Sequence, residues 1–409
     1  MLNRIWIGFF LVSFTVAIVR SVGWGDWYVF SDMMNSSFSM ARTGFELSLW
    51  LTGVTSLWLG FMKIAEKGGF VFILSKIVGP LFRRLFPEIP ANHPAMGAIL
   101  MNFSATMLGL ENAATPLGLK AMESMQELNP NKQVASNAQI MFLVVSTAGF
   151  TFLPISIMVY QANLGASNPA DIFIPIMLSS FTAVVIGIIV TSLVQRIKLW
   201  DKIILFYFLA AIIFILGLVY LFSLVGKEQF IKGSSFASNF ILFSLIVLFI
   251  LSAIRKKVNV YETFIEGAKE GFGIAIKIIP YLIAILVAVG VFRACGAMDG
   301  VIDFIHSVFI YMNWNGDFIP ALPTALMKPL SGSAARGLMV DVVKQHGANA
   351  FVSKVACTIQ GAADTTFYIL AVYFGAVSIK KTRYALACGI VTDIVGIIAA
   401  ILLSYLFFH

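Results

Sequence analysis

Residues 203–226 read Ile203-Ile-Leu-Phe-Tyr-Phe-Leu-Ala-Ala-Ile-Ile-Phe-Ile-Leu-Gly-Leu-Val-Tyr-Leu-Phe-Ser-Leu-Val-Gly226, with no charged side chain. A helix needs about 20 apolar residues to cross a bilayer core some ~30 Å thick, and this run supplies them. It is too long for a buried strand and too uniformly apolar for a helix with one wet face. Residues 172–195 and 233–254 are also uncharged and long enough to cross once. Residues 133–170 are uncharged too, with length for a crossing plus a polar re-entrant or connecting piece. Over all 409 residues, 59% are hydrophobic and 12% charged, against about 25% charged in a soluble domain. So few solvated side chains cannot cover a globular surface, and the chain reads as an all-α, polytopic integral membrane protein.

The flanks are consistent with that reading. Arg4 precedes an apolar run, and no small-residue cleavage site followed by a soluble domain succeeds it, so the segment reads as a first membrane helix rather than a removed signal. Trp24, Trp27, Tyr28 and Phe30 then suit a headgroup interface. Cys295, Cys357 and Cys388 have no paired spacing and support neither a disulfide framework nor a metal site. The net charge of +8 resides in short connections, not in a nucleic-acid module. Arg196, Lys198 and Lys202 are separated by two crossings from Arg255, Lys256, Lys257 and Lys269, which places both loops in the cytoplasm; Lys380, Lys381 and Arg383 are assigned to the same side. That orientation makes the inner (cytoplasmic) membrane the expected location, with lipid as the obligatory partner.

Crossings are expected near 6–24, 44–62, 136–160, 172–195, 203–226, 234–254, 273–292 and 385–408, whereas 95–120, 318–340 and 350–376 are apolar but interrupted. Residues 71–86 mix Lys76, Arg83 and Arg84 with large apolar groups, as in a helix lying along the interface. Pro87, Pro90 and Pro94 then turn the chain. Residues 299–312 are the corresponding piece of a second half.

The chain can be laid on itself. Ala41-Arg-Thr-Gly44 and Gly60-Phe-Met-Lys63 match Ala268-Lys-Glu-Gly271 and Gly290-Val-Phe-Arg293; the stretches 102–120 and 139–152 match 324–336 and 360–367. Repeated halves of this kind place a central site at their interface, and whether they are inverted or parallel depends on the number of true crossings.

Three polar clusters interrupt these apolar regions. The first holds Asn102, Glu111, Asn112, Thr115 and Pro116, where the proline breaks helical hydrogen bonding and the carboxylate requires protein, a cation or water around it. The second, Lys328-Pro-Leu-Ser331-Gly-Ser333-Ala-Ala-Arg336, joins exposed backbone and hydroxyls to two cations suited to a carboxylate or phosphate. It lacks the spacing of a nucleotide-hydrolase phosphate loop. The third, Gln360-Gly-Ala-Ala-Asp364-Thr365-Thr366, puts an amide and a carboxylate on one helix face where the segment is helical, and Asn137, Gln139, Ser146, Thr147 and Thr151 are expected at matching depth in the first half. Asp393 is a further intramembrane carboxylate. No hydrolase or metalloprotease motif is present, and the chain reads as no enzyme.

These motifs carry a resemblance. Gly109-Leu-Glu-Asn-Ala-Ala-Thr-Pro-Leu-Gly-Leu-Lys-Ala121 resembles spore maturation A proteins. Val291-Phe-Arg-Ala-Cys-Gly-Ala-Met298, Ala325-Leu-Met-Lys-Pro-Leu-Ser-Gly-Ser333 and Gln360-Gly-Ala-Ala-Asp-Thr-Thr-Phe-Tyr368 resemble the B proteins, with Asp364 where that pattern usually has glutamate. Both groups are similar to the nucleoside-recognition or gate-domain family and, through it, to the gate portions of concentrative nucleoside and ferrous-iron transporters. The resemblance implies an A-like half over 1–200 and a B-like half over 201–409, built as two gate-type repeats with broken helices or re-entrant hairpins. The expected function is secondary transport of a small polar or anionic solute, coupled to a proton or sodium ion and using no cofactor. Glu111, Asp364 and Asp393 would handle the ion, while Lys328 and Arg336 would attract or gate an anion. Asn102, Asn112, Thr115, Asn137, Gln139, Ser331, Ser333, Arg336, Gln360, Thr365 and Thr366 would bind the solute. A homo-oligomer is compatible with this reading. The alternative is a membrane scaffold acting in envelope or spore maturation without transport.

Overall fold

The computed structural model describes residues 2–90, 93–109, 111–225, 227–311 and 316–409; the side chains of some helical residues, Glu111 and Asn112 among them, lie outside the described set. The described residues are helical throughout apart from turns and one isolated bridge between Val134 and Lys381. Four segments among them are long and apolar enough to cross a membrane: Trp6–Trp24, Pro169–Gln195, Phe351–Ala376 and Ala385–Phe408. Large apolar side chains such as Leu11 and Leu402 on these segments, and Phe206 and Phe243 on other helices, are exposed, which suits lipid and not water. The chain is a multi-pass membrane protein.

The order is α1 (Leu2–Trp24), α2 (Val29–Lys67), α3 (Phe70–Leu85), α4 (Pro94–Met107), α5 (Glu111–Leu128), α6 (Asn137–Ala148), α7 (Ile155–Asn163), α8 (Phe173–Gln195), α9 (Lys202–Val225), α10 (Lys227–Arg255), α11 (Val260–Ala294), α12 (Ala297–Tyr311), α13 (Leu322–Met327), α14 (Gly332–His346), α15 (Phe351–Gly361), α16 (Thr366–Ala376) and α17 (Ala385–Phe408). The run α2 to α8 is echoed by α11 to α17, so the internal repeat read from the sequence reappears as an order of helices. The corresponding long helices pair antiparallel. On α2 and α11, a Cβ at Gly60 would meet Phe264, and one at Gly290 would meet Met40. On α8 and α17, Gly187 packs on Thr392 and Gly396 on Ala183.

Three expected crossings differ from the structure. Residues 44–62 and 273–292 are only parts of the longer α2 and α11, because Lys63, Glu266 and Glu270 do not end those helices: with Lys67, the last residue of α2, they pair across the crossing, Lys63 to Glu270 at 2.9 Å. Residues 136–160 are not one crossing. The helix stops at Ala148, Gly149 takes a left-handed φ of 56°, and a new helix starts only at Ile155 after Pro154.

The helices enter from two ends. Around the basic end, Arg84 pairs with Asp201 (3.5 Å), Arg383 donates to the Ala135 carbonyl (3.0 Å) and Gln195 to that of Asn137 (2.8 Å). At the opposite end Asn349 accepts from Ser167 (2.9 Å), and Lys354 pairs with Asp171 (3.2 Å). Helix α6 starts at the first end and α15 at the second, and each runs inward. The α4–α5 and α13–α14 hairpins likewise come from opposite ends. With 14 residues α4 is about 21 Å long, and α14 with 15 about 22 Å; both fall short of the ~30 Å core, so their tips lie within it.

Candidate functional site

At mid-depth the interrupted elements hold one another by backbone hydrogen bonds. The α6–α7 break reaches the first hairpin tip, where the N–H groups of Phe152 and Leu153 donate to the Met107 carbonyl (3.0 and 3.3 Å). The start of α16 reaches the second tip in the same manner, Phe367 N–H donating to the Pro329 carbonyl (3.1 Å). The two breaks meet each other where Asp364 N–H donates to the Thr147 carbonyl (2.8 Å). Each break satisfies backbone groups that lipid could not.

Between these four pieces lies a cavity of about 460 Å³, within the ~300–1,000 Å³ of small-molecule sites. Gly109 and Thr115 line it from the first hairpin, Lys328, Gly332 and Arg336 from the second, Ser146, Gly149 and Thr151 from the first break, and Gln360 and Asp364 from the second. Its walls include the aromatic rings of Trp58, Tyr160, Tyr368 and Tyr373. The Arg336 guanidinium lies over the Tyr160 ring, 5.8 Å from its centroid, which restricts the cation without withdrawing its donors from the cavity. Gln360 Nε2 donates to the Gly332 carbonyl (3.3 Å), while its Oε1 and the Ser146 hydroxyl are buried and make no hydrogen bond within the protein. Such atoms are costly unless a ligand or water completes them. The N-termini of α5, α7, α14 and α16 all end here, adding partial positive charge.

Of the residues expected at the site, Thr115, Lys328, Arg336, Gln360 and Asp364 line the cavity, as do Ser146 and Thr151 of those expected at matching depth. Others are nearby but structural. Asn102 braces α4 to α5 through the Ala114 carbonyl (2.7 Å), with Tyr373 Oη at 3.4 Å. Ser331 caps α14 and shares a contact with Ser333 (3.2 Å). Thr365 stands buried just before α16, and Thr366 and Asp393 are buried behind the second break. Asn137 and Gln139 are separated from the cavity by most of α6, which is about 18 Å long. Gln139 closes a capping box with Ser136, donates to Gln126 (2.8 Å) and accepts from Asn129 (3.2 Å). Asn137 bonds Glu88 and Tyr384 (both 2.7 Å). Gln139→Leu is therefore expected to lower the thermal midpoint in detergent, at a cost of about 1–3 kcal/mol for the unsatisfied partners, with solute affinity unchanged in matched amounts of protein. The aromatic walls were missed by a reading that sought polar groups, although Tyr160 and Tyr373 each follow a break by a few residues. Among the described residues no group of three or more His, Cys, Asp or Glu is placed to hold a metal ion.

No family model matches the chain. It is 45% identical over 155 residues to spore maturation protein B of Bacillus subtilis (strain 168), covering 84% of that protein and 37% of this chain. It is 37% identical over 190 residues to spore maturation protein A of the same organism, covering 93% of that protein and 46% of this chain. The chain belongs to the spore maturation protein A and B family. Neither relative accounts for even half of this chain, whereas each is matched over most of its own length, so features of both spore maturation proteins occur in one polypeptide.

Proposed function

We propose that the protein is a secondary transporter of a small polar or anionic solute in the inner (cytoplasmic) membrane. The carrying observation is the single cavity lined by both hairpins and both helix breaks, with Arg336 and the orphaned acceptors of Ser146 and Gln360 in its walls. On this reading residues 1–200 are the A-like half and 201–409 the B-like half, two inverted gate-type repeats. The antiparallel pairing of α2 with α11 and α8 with α17 supports that arrangement, since a pseudo-twofold axis in the membrane plane generates it. Rocking one half against the other would open the cavity to each side in turn. Arg336 and Lys328 attract the anion, Gln360 and Thr115 orient it, and the coupling ion is held by carboxylates among Glu111, Asp364 and Asp393. The basic loops 196–202 and 255–270 face the cytoplasm.

The relatives' names favour a second reading, a scaffold in envelope or spore maturation that moves no solute. Counterflow in proteoliposomes separates the two. Vesicles loaded with a panel of unlabelled small carboxylates, amino acids and sugar phosphates should accumulate at least one labelled member over protein-free vesicles. No counterflow with any member, in protein that is folded and unidirectionally inserted, favours the scaffold.

A further inference from the structure

Asp393 does not face the cavity, yet it is fully buried and neither carboxyl oxygen makes a hydrogen bond within the protein. Its surroundings explain what it can bind. Gly389, Asp393 and Gly396 share one face of α17. A Cβ on Gly389 would meet Thr366, and one on Gly396 would lie 3.2 Å from the Ala362 carbonyl oxygen. Asp393 therefore sits against the α15–α16 break from behind. Continuation of α15 would spend the N–H groups of residues 364, 365 and 367 on the carbonyls of 360, 361 and 363. Those N–H groups go elsewhere: Asp364 to the Thr147 carbonyl (2.8 Å), Thr365 to Asp364 Oδ1 (2.7 Å) and Phe367 to the Pro329 carbonyl (3.1 Å). The break thus presents the negative, carbonyl end of a helix to a carboxyl group. The Thr366 hydroxyl beside it can bond the carboxyl as donor or as acceptor. A carbonyl end and a hydroxyl able to accept suit a carboxyl that donates.

We propose that Asp393 is the proton-carrying group of this protein, a proton site behind the second break that is separate from the solute cavity. Its coupling to flux rests on the transport reading above, whereas the site itself does not. When the proton is bound, the carboxyl O–H can donate to the Ala362 carbonyl or the Thr366 hydroxyl. When it leaves for water, the carboxylate draws the buried ammonium of Lys328, a cation that acts on it. Lys328 stands at the tip of the second hairpin, so the proton alters the pull on a wall of the cavity. The charges around Asp393 favour a proton over sodium, because Lys328 already supplies a fixed positive charge on the cavity side. The remaining neighbours are accounted for. Helices α6 and α8 carry no titratable side chain; α15 carries Lys354, paired with Asp171, and Cys357, bonded by Gln161; α16 carries Tyr368 and Tyr373; Asp364 lies in the break.

Infrared difference spectra of the reconstituted protein, recorded between acid and alkaline pH, test this through the carbonyl stretch of a protonated carboxyl. A band is expected that titrates, is lost in Asp393→Asn and is retained in Asp364→Asn. Lys328→Gln, which leaves position 393 intact, is expected to move its midpoint to higher pH, because the carboxylate loses a stabilising cation. Replacing sodium chloride by choline chloride should not move it. A wild-type chain with no such band, a band unaffected by both the Asp393 and Lys328 variants, or displacement of the proton by sodium at fixed pH would each overturn the inference. Failure of wild-type counterflow would instead remove the transport reading and leave the infrared result standing.

Discussion

Arg336→Gln is expected to reduce uptake of the transported anion by one to two orders of magnitude at low solute concentration. The loss should lie chiefly in apparent affinity, with the protein present at normal abundance. The side chain is half-buried in the cavity wall and held over Tyr160, so its direction is fixed before a ligand arrives and little ordering entropy remains to be lost. A charge-assisted hydrogen bond contributes about 1.5–3 kcal/mol, which converts to roughly 10–100-fold in affinity. Arg336→Lys should recover only part of this, because an ammonium cannot present two parallel donors to a carboxylate or phosphate. Equal uptake by wild type and Arg336→Gln in matched proteoliposomes would remove the arginine from solute recognition.

The second large effect is expected at Gly149. Its φ of 56° lies in the left-handed region, where an L side chain costs about 1–2 kcal/mol. A Cβ there would also approach Asp364 N to 3.1 Å and Asp364 Cβ to 3.2 Å. Those atoms belong to the α15–α16 break, so the added carbon pushes the two breaks apart where the Asp364 N–H to Thr147 carbonyl bond joins them. Gly149→Val should therefore abolish flux while lowering thermal stability only modestly. Gly97→Ala, in open space within α4, should leave both unchanged. Normal flux in Gly149→Val would mean that the junction of the breaks can shift without consequence for transport.

The membrane-spanning character of the chain was legible because an uninterrupted apolar run has few other uses; the runs 6–24, 172–195 and 385–408 fall on α1, α8 and α17. The full extent of α2 and α11 was not legible. Charges such as Lys63 and Glu266 look like helix ends until their partners across the crossing are known. The α6–α7 break had its signals in Gly149 and Pro154, but neither alone distinguishes a kink from a chain that stops and is held by a neighbouring tip. At the site, Lys328, Arg336, Gln360 and Asp364 were found through polarity in apolar surroundings. Asn137 and Gln139 met the same criterion and lie elsewhere, since sequence gives the distance of a polar group along a helix but not which end of that helix reaches the centre. Tyr160 and Tyr373 carried no polar signal.

Transport requires that the cavity at the joined breaks open alternately to the two faces of the membrane. Ser146 is the most direct reporter, because it lines the cavity, its hydroxyl has no hydrogen bond to lose, and cysteine is nearly its size. Ser146→Cys, in a chain with Cys295, Cys357 and Cys388 replaced, can be challenged with a membrane-impermeant thiol reagent from either side of oriented vesicles. Labelling is expected from both sides, slowed on each by a solute that supports counterflow. Labelling from one side only, unaffected by any solute, would contradict alternating access and leave the cavity a fixed vestibule.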